Sequence, residues 1–184
     1  PNFVMTANYC MWEGDPYGAL RGSSEDLELW SQVLDVVFEE GCFGKTPRTD
    51  GGAKYSNGAN YKYLLAASHG RPVAELAYMT KGATDQAQEA LARIAVAEGL
   101  MGGGAWQVPF GETNEFGRRA IAQYHAFQKA NEELLMGQTP YVTVGVLASM
   151  TQGYCGSASY PMAVSRLLTD CQVDHRMVID EELA

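Results

Sequence analysis

Four short apolar runs, Pro1–Cys10, Asp35–Glu40, Arg71–Tyr78 and Ala105–Phe110, recur roughly every 32 to 36 residues, and a stretch with helical spacing follows each. A strand, a helix and two connections take about that length. The pattern therefore predicts βαβ units and a parallel sheet. Parallel sheets carry their chemistry at the carboxyl ends of the strands. The segments to inspect are Asn8 to Trp12, Glu39 and Glu40, Glu75, and Trp106 to Glu112.

In the first strand, Phe3–Tyr9, Thr6 and Asn8 fall on one face. Ser23 and Ser24 offer N-caps for a helix with Leu27, Trp30, Val33 and Leu34 on one side. Asp35–Phe38 reads as a buried strand ending in Glu39 and Glu40, and Cys42 to Gly58 as a long polar loop. Asn60 is placed to cap a helix with the stripe Tyr61, Leu64, Leu65 and Ala67, stopped at His69-Gly70. The third strand is Arg71–Tyr78. Thr84 caps the next helix, which ends at Glu98-Gly99 and leads through Gly102–Gly104 to the strand Ala105–Val108. Three glycines ahead of a strand suit a tight turn and not a phosphate loop. Thr113–Leu135 reads as one long helix, and Gly137–Pro140 as a domain boundary. Beyond it a strand (Tyr141–Leu147), a loop (Ser149–Ser159), a helix (Tyr160–Cys171) and a strand (His175–Ile179) make a separate βαβ unit. Two domains are expected, 1–136 and 137–184.

Composition narrows the function classes. Of the 184 residues, 46 % are hydrophobic and 19 % charged, ordinary values for a chain that buries a core. The formal charge of −9 and the lack of a basic stripe argue against nucleic acid as a partner. No apolar stretch is long enough to cross a bilayer, so no membrane partner is expected. Without an initiator Met, and with a strand beginning almost at once, the chain reads as a piece excised from something longer. Cys10, Cys42, Cys155 and Cys171 are widely spaced, with no C-x-x-C pair, which argues against a zinc site. Buried, reduced thiols are expected, and they favour a cytoplasmic location. No cofactor is expected.

Glu75 is the sharpest candidate for chemistry. A carboxylate inside an apolar strand costs several kcal/mol unless it meets a partner or a hydrated cavity. Alternation sets Val73, Glu75 and Ala77 on one face, and the small neighbours leave room for a ligand. The expectation is that Glu75 projects into a cavity ringed by strands; the bland alternative is a structural ion pair. Of Glu39 and Glu40, successive on a strand, one at most faces a site. Asn8 and Trp12 would suit a sugar, an amide for hydroxyls and an indole for the ring face. Trp106 offers the same, or plain packing.

Four passages, YLLAASHGRPVAELAY, ALARIAVAEGLMGGGAW, YHAFQKANEELLMGQTPYVTVGVLAS and YPMAVSRLLTDCQVDHRMVIDEELA, carry a family resemblance. With them the chain resembles the carboxyl-terminal half of a (β/α)8-barrel (TIM-barrel) glycoside hydrolase joined to a glutaminase-like trimerisation domain. Bacterial beta-galactosidases and their glycosyl-hydrolase relatives have that arrangement. The resemblance implies an α/β fold, hydrolysis of glycosidic bonds by two carboxylates, a carbohydrate substrate and a homo-oligomer. It places the nucleophile late in strand seven, on or near Glu75, with Asn8, Trp12, Glu40 and Trp106 lining the sugar site. The family's acid/base follows an Asn on strand four, upstream of these residues, and Asn114-Glu115 starts a helix and cannot replace it. A rival reading is a non-catalytic α/β module for ligand binding or oligomerisation.

Overall fold

The computed structural model describes residues 3–9, 26–41, 48–50, 53–55, 57–77, 84–107, 113–135, 137–138, 141–155 and 160–183. In chain order the elements are β1 (Thr6–Tyr9), α1 (Leu27–Trp30), β2 (Val36–Gly41), β3 (Arg48–Asp50), β4 (Ala53–Tyr55), α2 (Gly58–Ala67), β5 (Val73–Ala77) and α3 (Asp85–Met101). They continue with β6 (Ala105–Gln107), α4 (Glu115–Ala130), α5 (Glu132–Leu135), β7 (Val144–Ala148), α6 (Met150–Tyr154), α7 (Tyr160–Asp170), β8 (His175–Ile179) and a 3-10 turn, Asp180–Leu183. The chain is a mixed α/β protein. Among the described residues the strands form no closed barrel.

Strands β1, β2, β5 and β6 form a parallel sheet in that order, so each neighbour is the next of the four along the chain. Its two faces differ. On one, Tyr9, Val37 and Val73 are buried with Tyr63, Leu64 and Ala67 of α2 in a single apolar cluster. On the other, Thr6 and Asn8 are exposed and Val36, Phe38 and Ala74 only half-buried.

Helix α3 begins on its cap: Thr84 Oγ1 accepts from Ala87 N at 3.2 Å. Asn114 caps α4 in the same way, accepting from Gly117 N at 3.0 Å, while its Nδ2 donates to Asp85 at 2.8 Å. The two helices pack through Ala92, Ala95, Val96 and Ala120. Where one helix was expected from Thr113 to Leu135, Asn131 interrupts it, turning its side chain back to Phe127 O at 2.8 Å.

The remaining strands divide between a hairpin and a second parallel pair. The segment expected as a polar loop contains the antiparallel pair β3–β4. Strands β7 and β8 form a separate parallel pair. Their buried residues Val146, Ala148, Met177 and their neighbours Met150 and Met162 join the same cluster as Tyr63 and Leu64. Helix α2 thus lies between the two sheets, and Lys62 Nζ ties it to His175 O at 2.7 Å. Cys155 and Cys171 are free and exposed, contrary to the expectation of buried thiols. Each sits just past the last residue of a helix, α6 and α7, where the chain turns back to solvent. Cys10 and Cys42 lie outside the described residues.

Candidate functional site

The parallel register sets Tyr9, Glu39, Glu75 and Trp106 in one row across the sheet. Neighbouring strands are about 4.8 Å apart, so Glu39 and Glu75 stand side by side. Both are buried, at 0 % and 1 % exposure. Helix α2 adds Tyr61, 1 % exposed, and α3 adds the half-buried Glu98. The glycine turn between α3 and β6 makes room for the Tyr61 ring. A Cβ at Gly102 would sit 2.7 Å from Tyr61 Cβ and Cγ, and one at Gly104 would sit 2.8 Å from its Cε1.

Burial, then the charge of Glu98, raises the Glu75 pKa to about 8. The Tyr61 hydroxyl lies close enough to oppose part of that rise. Yet neither Tyr61 Oη nor Glu75 Oε2 completes a hydrogen bond of normal geometry. Tyr61 is itself raised well above the usual phenol range, first by burial and then by Glu75, Glu98 and Glu39. Burial and Glu98 together favour the protonated form of the Glu75 carboxyl. Strongly perturbed groups of this kind are candidates for function, or for structural strain.

The orientation of Glu75 corrects the sequence reading. Val73, Glu75 and Ala77 do share a face by alternation, but it is the helix-covered one: Val73 packs with α2, and Glu75 meets Tyr61 and Glu98. Period-two alternation sorts residues into faces without saying which face the helices cover. Burial and Glu98 outweigh the Tyr61 hydroxyl and favour a neutral Glu75 carboxyl.

Asn8 is not gathered around Glu75. Asn8 is exposed and lies on the opposite face, two residues from Thr6. Glu40 follows Glu39 in β2, and its backbone is the register partner of Leu76. The backbone of Trp106 is the register partner of Glu75. The side chains of Glu40 and Trp106, and all of Trp12, lie outside what is described. Tyr61 and Glu98 went unread as site residues because each fits a helix pattern. The available signal was a hydroxyl-bearing aromatic in the α2 stripe and a Glu one turn before three glycines.

Two further buried polar groups lie away from this row. Glu28 in α1 is 8 % exposed, and burial followed by repulsion from Asp26, Asp180 and Glu181 raises its pKa to about 8. His175 is held by Ser165, Oγ to Nε2 at 2.6 Å, and by Val173 O at 2.9 Å from Nδ1. Burial lowers its pKa, so it is a neutral imidazole: Nδ1–H donates to the carbonyl, and Nε2 accepts from the hydroxyl. Ser165 and His175 are 0 % and 1 % exposed, which makes the pair a packing device and not a nucleophile.

A cleft of about 600 Å³ opens at the amino-terminal end of β5 and β6, floored by Val73, Val96, Leu100 and Gly104 and rimmed by His125 and Lys129. No described helix is long and apolar enough to cross a membrane. No protein family, no curated protein and no solved structure matches the chain.

Proposed function

We propose that the four-stranded sheet is part of the wall of a (β/α)8 barrel in a carbohydrate-active hydrolase, with the glycoside on the face away from the helices. The observation that carries this reading is that, among the described residues, helices cover one face of a sheet whose strands follow chain order. Doubly wound sheets reverse their strand order and bury both faces, whereas a barrel wall keeps the order and places helices outside only. The family resemblance of the four passages supplies the reaction class.

On this reading Glu75 belongs to the outer layer and does not attack sugar. We assign the sugar side instead to Asn8 and Glu40, near the carboxyl ends of β1 and β2. Asn8 offers an amide to substrate hydroxyls, and Glu40 is one of the two carboxylates. A second carboxylate about 5 Å away would make the enzyme retaining, and a wider gap inverting.

Aryl-glycoside turnover, measured in the protein with its barrel wall complete, tests the reading. Glu40→Gln is expected to reduce turnover by roughly 100-fold to 10,000-fold, the usual worth of a positioned catalytic carboxyl. Glu75→Gln should stay within a few-fold of wild type. Loss of turnover in Glu75→Gln with Glu40→Gln unaffected, or no turnover of any glycoside by the wild type, would overturn the proposal.

A further inference from the structure

The cleft of about 600 Å³ lies at the amino-terminal end of β5 and β6, away from the carboxyl ends assigned to the sugar. Its volume falls in the range of small-molecule sites, which are mostly apolar with a few polar groups that orient the ligand. The two walls differ in chemistry. Val96 and Leu100 of α3, joined by Leu135 of α5, make an aliphatic side. Gly103 and Gly104 add backbone without side chains, so the turn between α3 and β6 leaves its part of the cleft open.

The opposite wall is a polar helix flank. His125, Gln128, Lys129 and Glu132 recur at three- and four-residue intervals along α4 and into α5, and all four line the cleft. Lys129 and Glu132 set a positive and a negative group on that wall. Opposite charges three residues apart on a helix often join. Among the described residues, however, neither side chain has a hydrogen bond or an ion pair. An aliphatic side facing an ammonium and a carboxylate that leave each other free is complementary to a molecule with the same three parts.

We propose that this cleft binds a free α-amino acid with a large apolar side chain. Its carboxylate meets Lys129, its ammonium meets Glu132, and its side chain lies against Val96, Leu100 and Leu135. An apolar carboxylate lacking the ammonium would bring a like charge to Glu132, and an apolar amine would bring one to Lys129. The zwitterion pairs with both. His125 and Gln128 offer further hydrogen bonds to the ligand's polar end. The proposal does not depend on the chain being a hydrolase.

Calorimetric titration of the intact chain with L-phenylalanine, 3-phenylpropionate and phenethylamine tests it. Phenylalanine is expected to bind about 5-fold more tightly than either analogue, the upper worth of one exposed charge pair. Lys129→Ala should weaken phenylalanine and 3-phenylpropionate by about that factor and leave phenethylamine no weaker. Glu132→Ala should do the converse, weakening phenylalanine and phenethylamine and sparing 3-phenylpropionate. Both positions are exposed, so the variants keep the fold. In amide NMR spectra the shifts caused by phenylalanine should centre on Gly103 and Gly104. The proposal is overturned by equal affinity for the three ligands, by shifts centred elsewhere, or by no saturable binding of phenylalanine up to about 10 mM. Unchanged phenylalanine affinity in both variants would overturn it as well.

Discussion

At the scale of single residues, the Tyr61 ring is held by absence as much as by contact. Gly102 and Gly104 leave the space it fills, and Gly103 takes a left-handed φ of +76° that completes the turn. A methyl group at position 104 would meet Tyr61 Cε1 at 2.8 Å, Cδ1 at 2.9 Å and Val73 O at 3.3 Å. The ring cannot swing away, since Tyr61 is closed in on its other sides. Gly104→Ala is therefore expected to cost about 1–3 kcal/mol, the range for overpacked cores, read as a lower urea midpoint with unchanged slope. A substitution without effect would mean that the ring has slack. Glycines before a strand were readable as a turn. Their role as a slot for an aromatic from another helix was not, because that requires knowing which helix lies above.

At the scale of elements, caps were legible in part, since α2 begins at Gly58 behind Asn57 and not on Asn60. Thr84 begins α3 where the sequence placed its cap, and β8 spans the expected His175–Ile179. The first predicted helix shrinks to Leu27–Trp30, capped by Asp26 and not by the serines. Beyond it Val33 is 66 % exposed while Leu34 is buried, so the apolar stripe does not continue as one helical face. The segments expected as loops before Asn57 and after Ser149 contain the β3–β4 pair and α6, short elements whose polar sequences carry little periodicity.

Asn114 caps α4 and also donates to Asp85 at the start of α3. Its loss should cost about 1–2 kcal/mol, one cap plus one exposed hydrogen bond. Asn114→Asp should retain the cap while setting a charge against Asp85, and so fall between Asn114→Ala and wild type in urea denaturation. Equal stability of all three would remove the cap from the account.

At the scale of the whole molecule, the alternation of strands and helices was enough to predict a parallel α/β arrangement, and the four strands do pair in chain order. What alternation could not supply was the side from which helices approach, and with it the surroundings of Glu75. A strand residue's neighbours on its own face come from elements far away in sequence: Tyr61 lies 14 residues before Glu75 and Glu98 lies 23 after it. The cluster uniting Tyr63, Leu64 and Ala67 with Met162 and Met177 was hidden for the same reason.

Helix α2 has one flank against each sheet, so neither sheet keeps a finished interior without it. A protein nicked at the exposed Gly137 should therefore behave as one body. The two pieces are expected to co-elute in gel filtration and to melt in a single step, and separation of intact, folded pieces would show the seam to be dispensable. Peptide continuity past position 137 would then matter less to cohesion than a ten-residue rod whose two sides are already spoken for.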